Sequence, residues 1–115
     1  MKFFIVFIII FILPGLLQSG RYINGIEDIP IFKNMVYVED SIVLFDKTEG
    51  RYVSSEITGD YNKFEIMDFY SEVLPNLGWK NIGPSLFERG NEELEIKYSE
   101  KGKKTSAIFN IYPSN

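Results

Sequence analysis

The chain has 115 residues, 45% of them apolar and 16% aromatic, with no Cys, no His and a formal charge of −4. Without His or Cys, the commonest general base, metal ligand and thiol nucleophile are missing, which leaves carboxylates, Ser, Lys or Tyr for any catalysis. The acidic balance makes the chain a poor candidate for nucleic acid, which requires a basic face, and no disulfide can assist the core.

Residues 1–20 carry the address. MKFFIVFIIIFILPGLL places one cation, Lys2, before an apolar run from Phe3 to Leu13, which Pro14 and Gly15 interrupt. A charged start, a short apolar centre and small residues at Ser19 and Gly20 predict a signal peptide over 1–20 and an exported, periplasmic protein. As a helix, residues 3–17 would span ~22 Å, less than the ~30 Å of a hydrocarbon core. The alternative is an uncleaved inner-membrane anchor, with membrane contact only through that segment. The remaining chain, about 95 residues, is enough for one small domain whose packed core has to suffice.

Residues 21–34 (RYINGIEDIPIFKN) contain Asn24-Gly25, Pro30 and apolar residues without a period, and read as an extended arm with Ile29, Ile31 and Phe32 tucked against the domain. The domain itself is assigned to 35–115. Met35 to Val38 is a candidate short edge strand, Ser41–Phe45 an apolar strand, and Arg51–Thr58 a second. Residues Asp46 to Gly50 join these two as a hairpin loop, with positive φ at Gly50.

Asp60 to Trp79 (DYNKFEIMDFYSEVLPNLGW) has the clearest helical period. Asn62 is the expected N-cap, Glu65 the far member of a capping box, and Tyr61 a staple against Ile66. A turn of ~100° per residue lines up Ile66, Tyr70, Val73 and Leu77, with Glu65, Asp68, Glu72 and Pro75 on the opposite arc. Gly78 suits the position after the last helical turn, and Trp79 can then fold back onto the apolar face.

Beyond Trp79 the pattern alternates with period two. A Gly90-Asn91 turn pairs Phe87 with Leu94 and Arg89 with Glu92, and a Lys101-Gly102 turn pairs Ile96 with Ala107 and Leu94 with Phe109. Both turns send Phe87, Leu94, Ile96, Tyr98, Ala107 and Phe109 to one buried face. The fold class that results is α+β, order ββ-α-ββββ, with a single helix packed on an antiparallel sheet in two layers.

The run FYSEVLPNLGW followed by LFERG, ELEIKYS and TSAIFNIYP resembles a class of small exported bacterial envelope domains. Those have a signal peptide, one helix ending in a leucine-rich turn and Gly-Trp, and a meander of antiparallel strands. The likeness covers residues 40–113. Its motifs are structural, so it implies a fold and an envelope address and carries over no functional residue. More distantly, the plan is similar to lipoprotein domains of outer-membrane assembly machinery, from which this chain departs by lacking the lipidated Cys.

No catalytic, cofactor-binding or metal-ligating residue is assigned. Asp68 and Glu72 lie one turn apart on the polar arc, as a solvated helix face would. Glu92, Glu93 and Glu95 lack the Asp-rich loop that calcium sites use. Lys101, Lys103 and Lys104 form a basic hairpin tip, too few charges to separate headgroup contact from simple solubility. Arg51 is expected to pair within its hairpin stem, and Trp79 to join the core. Ile108 and Tyr112 stand apart: the register points both outward, which marks a candidate interaction surface. The expected function is that of a non-catalytic envelope domain binding another protein. The alternative is a binder of a small apolar or lipid-like ligand held between helix and sheet, and a small carboxylate- or lysine-based hydrolase ranks last.

Overall fold

The computed structural model describes residues 21–114. The signal peptide or anchor expected over 1–20, and the final residue of the expected domain, lie outside the described residues. Two strands open the fold, β1 (Tyr22–Ile23) and β2 (Ile26–Pro30). Three more precede the helix: β3 (Val36–Tyr37), β4 (Val43–Lys47) and β5 (Gly50–Gly59). Helix α1 (Lys63–Asn76) comes next, then β6 (Lys80–Gly83), β7 (Leu86–Arg89), β8 (Glu92–Lys101) and β9 (Lys104–Pro113).

The α+β plan of one helix on an antiparallel sheet holds. The main sheet runs β3-β5-β9-β8-β7-β6, with β4 also paired to β5. Strand β3 takes the Ile57–Thr58 end of β5 and β4 takes the Gly50–Ser54 end, so two short strands share one edge. Alternation along the long strands sends Val53, Ile57, Leu94, Ile96, Ala107, Phe109 and Ile111 into the core, with Phe87 beside them on β7.

The helix is built as its sequence dictates. The Asn62 side chain accepts a 2.7 Å hydrogen bond from Phe64 N, capping the first turn. Tyr61 packs against the core cluster that includes Ile66 and sets its ring edge-on to Phe32, centroids 5.2 Å apart. Ile66, Tyr70 and Leu74 are buried, while Pro75 is exposed, so the carbonyl it leaves unpaired faces water. At the C-terminus Trp79 N donates to Leu74 O and Gly78 N to Pro75 O, with Gly78 at φ +92°; this paired return closes the helix and drives Trp79 inward.

The β7–β8 hairpin has the expected register, Phe87 opposite Leu94 and Arg89 opposite Glu92. The β8–β9 hairpin is displaced by two residues: its loop is Gly102-Lys103, so Ile96 faces Phe109 and Leu94 faces Ile111. A shift of two preserves the side-chain face, so the buried set survives the altered pairing. The β4–β5 loop is also shorter than expected, Thr48-Glu49 between the paired Lys47 and Gly50.

The segment read as an arm is part of the core. Residues 21–34 form the β1–β2 hairpin around Asn24-Gly25, and Ile23, Ile26, Ile29 and Phe32 are buried in the same cluster as the helix and the sheet. Tyr70 pins it: its hydroxyl donates to Pro30 O at 2.8 Å and accepts from Phe32 N at 3.1 Å. Arg89 pins it again, bonding Asp28 at 2.7 Å and Leu77 O at 2.9 Å while lying 4.2 Å over the Trp79 ring.

Candidate interaction surface

Because Thr105, Ala107, Phe109 and Ile111 of β9 point inward, Ser106, Ile108, Asn110 and Tyr112 point outward. Ile108 stands between Glu56 of β5 and Lys97 of β8, and Tyr112 stands opposite Glu93. Both expected surface residues thus lie on the outer sheet face, but neighbours leave each of them only half-exposed. The Tyr112 hydroxyl is held above its ordinary pKa first by loss of water and then by the Glu95 and Glu93 carboxylates.

The larger apolar exposure is on β4, at Val43 (53%), Leu44 (59%) and Phe45 (46%). Val43 and Phe45 sit across from Ser54 and Tyr52 on the outer face, and Leu44 across from Val53 on the inner. Phe45 stacks on Tyr52 with centroids 5.0 Å apart and planes at 14°, and Lys47 Nζ lies 5.9 and 5.6 Å from the two rings. Between this stack and Tyr112 runs an open groove of about 340 Å³ over Ser54, Glu95 and Asn110. One edge of β4 is paired to β5; the other has no strand partner among the described residues.

In the sequence, Ser41–Phe45 resembles a buried strand because its apolar run is continuous. What exposes it is placement at the sheet edge, beyond the reach of the layer that covers the inner face. Neither its edge position nor its uncovered faces can be read from composition.

A second concavity lies between helix and sheet. Helix α1 starts beside Thr105, whose hydroxyl donates to Tyr61 O at 2.7 Å, and ends at Arg89, so it crosses the inner face diagonally. The β1–β2 hairpin fills the corner beside β5. The corner beside β7 and β8 is left as a half-open recess of about 310 Å³ between Met67, Tyr70 and Ser71 of the helix, Phe87, Ile96 and Tyr98 of the sheet, and Asn81 with the Gly83-Pro84-Ser85 turn. Burial raises the hydroxyl pKa of both Tyr70 and Tyr98 well above the ordinary phenol range.

The remaining candidates are separated. Asp68 and Glu72 are exposed on the helix. The three glutamates are split: Glu92 takes a bidentate bond from Arg51 at 2.6 and 3.1 Å, while Glu93 and Glu95 face outward. Arg51 therefore looks across the sheet to β8, past the stem residue Asp46 opposite it. Ser55 is buried with its hydroxyl unpartnered, as is the Trp79 indole N–H. Among the described residues no group of three or more metal-ligating side chains is assembled, and no helix is long and apolar enough to cross a membrane. No family model, curated protein or solved structure matches the chain.

Proposed function

We propose that this is an exported, non-catalytic accessory domain of the bacterial cell envelope that binds another protein by strand addition at β4. The single observation that carries it is the edge strand with three consecutive exposed apolar residues and a free backbone edge. Such an edge supplies main-chain hydrogen bonds for affinity, and alternate side chains supply specificity: Val43 and Phe45 to one face, Leu44 to the other. The groove beside Tyr52 and Tyr112 extends that contact to the outer face. The envelope address is supported by residues 1–20 of the sequence and by the likeness of 40–113 to exported envelope domains.

The test is capture from envelope extract with three baits: wild type, Leu44→Glu/Phe45→Glu, and Ile108→Glu. The expected result is a partner retained by wild type and by Ile108→Glu and lost from the β4 variant. A partner list unchanged by the β4 substitutions rules out this edge; loss only with Ile108→Glu moves the contact to the middle of the outer face.

The recess between helix and sheet favours a second reading, a small apolar or lipid-like ligand seated against Met67, Phe87 and Ile96. Native mass spectrometry of the purified protein tests it: a co-purifying mass that Ser71→Phe displaces supports the reading, and its absence removes it.

A further inference from the structure

Six of the eleven cations in residues 21–114 gather at one end of the molecule: Arg21, Lys33, Lys63, Lys101, Lys103 and Lys104. Four separate segments bring them there. The β8–β9 turn projects Lys101, Lys103 and Lys104 past Gly59, the last paired residue of β5. Lys63 opens the helix beside them. Lys33 reaches back over the rings of Phe32 and Tyr61, 5.1 and 5.5 Å from their centroids. Arg21 donates to the carbonyls of Lys33 and Met35, which closes the N-terminal hairpin onto the same end and leaves its charge without a carboxylate.

Three carboxylates, Asp60, Glu65 and Glu100, lie in the same segments as these six cations. Of the six cations only Lys104 has an acidic partner among the described residues, Asp60 at 3.5 Å, with both side chains exposed. The opposite end of the same strands carries Asp46, Glu49, Glu88, Glu92 and Glu93 interleaved with Lys47, Arg51, Lys80 and Arg89, so its charges nearly balance. A chain with a formal charge of −4 thus has a local excess of cations at the first of these ends. Apolar groups are interleaved with the basic end: Phe64 is 63% exposed with Lys63 Nζ 5.3 Å from its ring, and Val36 borders a recess of about 360 Å³ whose rim includes Lys104.

The junction with the first twenty residues is also here, at Arg21, and residues 3–17 of that stretch are wholly apolar apart from the Pro14-Gly15 break. Cations set around exposed aromatic and aliphatic side chains suit the boundary between headgroups and acyl chains, where lysine stems bury while their ammonium groups meet phosphate. We infer that this end is a docking surface for a membrane rich in anionic phospholipid, which turns the β4 edge and the β4–β5 turn away from the bilayer. The inference is independent of the strand-addition reading, because none of its residues belongs to β4.

The absence of Cys makes the test direct on the full chain. Single-cysteine variants Asn34→Cys, at the basic end, and Glu49→Cys, at the opposite turn, are labelled with an environment-sensitive fluorophore. Each is added to phosphatidylcholine vesicles with and without phosphatidylglycerol, doped with a headgroup-linked quencher. Quenching at position 34 is expected to rise several-fold with phosphatidylglycerol, and to fall back with added salt. It is expected to fall back equally in a Lys33→Glu/Lys63→Glu/Lys103→Glu background that keeps the wild-type melting curve, while position 49 stays unquenched throughout. Equal quenching at the two positions, or quenching indifferent to phosphatidylglycerol, overturns the inference. So does an equal response of the position 34 label to a soluble polyanion without vesicles, which would make the surface a general polyanion site. Phe64→Ser should reduce the quenching at position 34 without altering its salt dependence, and no reduction would remove the aromatic contact.

Discussion

Two corners of one sheet face lie on either side of the diagonal helix, and they are finished differently. The corner beside β5 is closed by the β1–β2 hairpin, whose Ile23, Ile26 and Ile29 are fully buried, whose Pro30 carbonyl is bonded by Tyr70 and whose Asp28 carboxylate is bonded by Arg89. The corner beside β7 and β8 has no such cover and remains a recess rimmed by Met67, Ser71 and Tyr98. One helix of fourteen residues cannot span both. The difference teaches that residues 21–34 complete the core of the domain, and that whatever occupies the second corner is supplied by something other than the helix and hairpin.

The largest expected effect is in the closed corner. Ile29→Ala should cost roughly 2–5 kcal/mol, since it removes a fully buried side chain from a position the neighbours can only partly refill. Urea unfolding measures it. A cost below about 1 kcal/mol would mean that the hairpin is only loosely held and that the closed corner resembles the open one. Gly25→Ala probes the same contact from the turn. Gly25 is at φ +88°, and an added Cβ would meet Ile42 Cδ1 at 2.8 Å, so it should destabilise by at least about 1 kcal/mol.

Tyr70 touches both corners, which makes it the next test. Tyr70→Phe keeps the ring against Phe109 but strips an acceptor from Phe32 N and a donor from Pro30 O, an expected loss of about 1–3 kcal/mol. The same residue predicts a pH response. Burial holds the Tyr70 and Tyr98 hydroxyls above the ordinary phenol pKa of about 10, so the folded state favours their protonated form. Above pH ~10 the unfolded chain has lost those protons and the folded chain has not. Stability from this source is therefore complete below pH ~10 and declines as pH rises through the raised folded values. The urea midpoint should fall on the alkaline side, and less steeply in Tyr70→Phe; parallel curves would show that Tyr70 stays accessible to water.

Much of this architecture is legible as local chemistry. Asn62, Gly78 and Trp79 specify both ends of the helix, and Gly90-Asn91 fixes the β7–β8 register outright. The β8–β9 register departs by two from the expected one because Gly102 sits at the first loop position with φ +61°, the place a type II′ turn reserves for glycine, and not at the second. The hairpin is legible only as a turn: Ile23, Ile26 and Ile29 are spaced by three across the Asn24-Gly25 turn and a register shift at Tyr22-Ile23, so no period of two survives. Of the candidate surface, the outward direction of Ile108 and Tyr112 comes from alternation alone. The β4 edge does not, because it depends on β3 and β4 dividing one side of β5, a long-range choice that leaves no local mark. The gathering of six cations is hidden for the same reason, since they come from four separate segments.

The smallest effect is expected in the open corner, and it decides whether the two corners truly differ. Ser71 is exposed on the rim, one turn of helix from Met67, and Ser71→Phe would carry a ring into the recess where Phe87, Ile96 and Tyr98 offer apolar contacts. Helix propensities of Ser and Phe are similar, so the substitution should change stability by no more than about 0.5 kcal/mol, or raise it slightly through the added burial. If the corner were already filled by packed protein, the same ring would overpack it at a cost of about 1–3 kcal/mol. Thermal melting separates these outcomes. A near-unchanged midpoint keeps the recess as a real space on the molecule, and a loss comparable with Tyr70→Phe closes it and reduces the two corners to one continuous core.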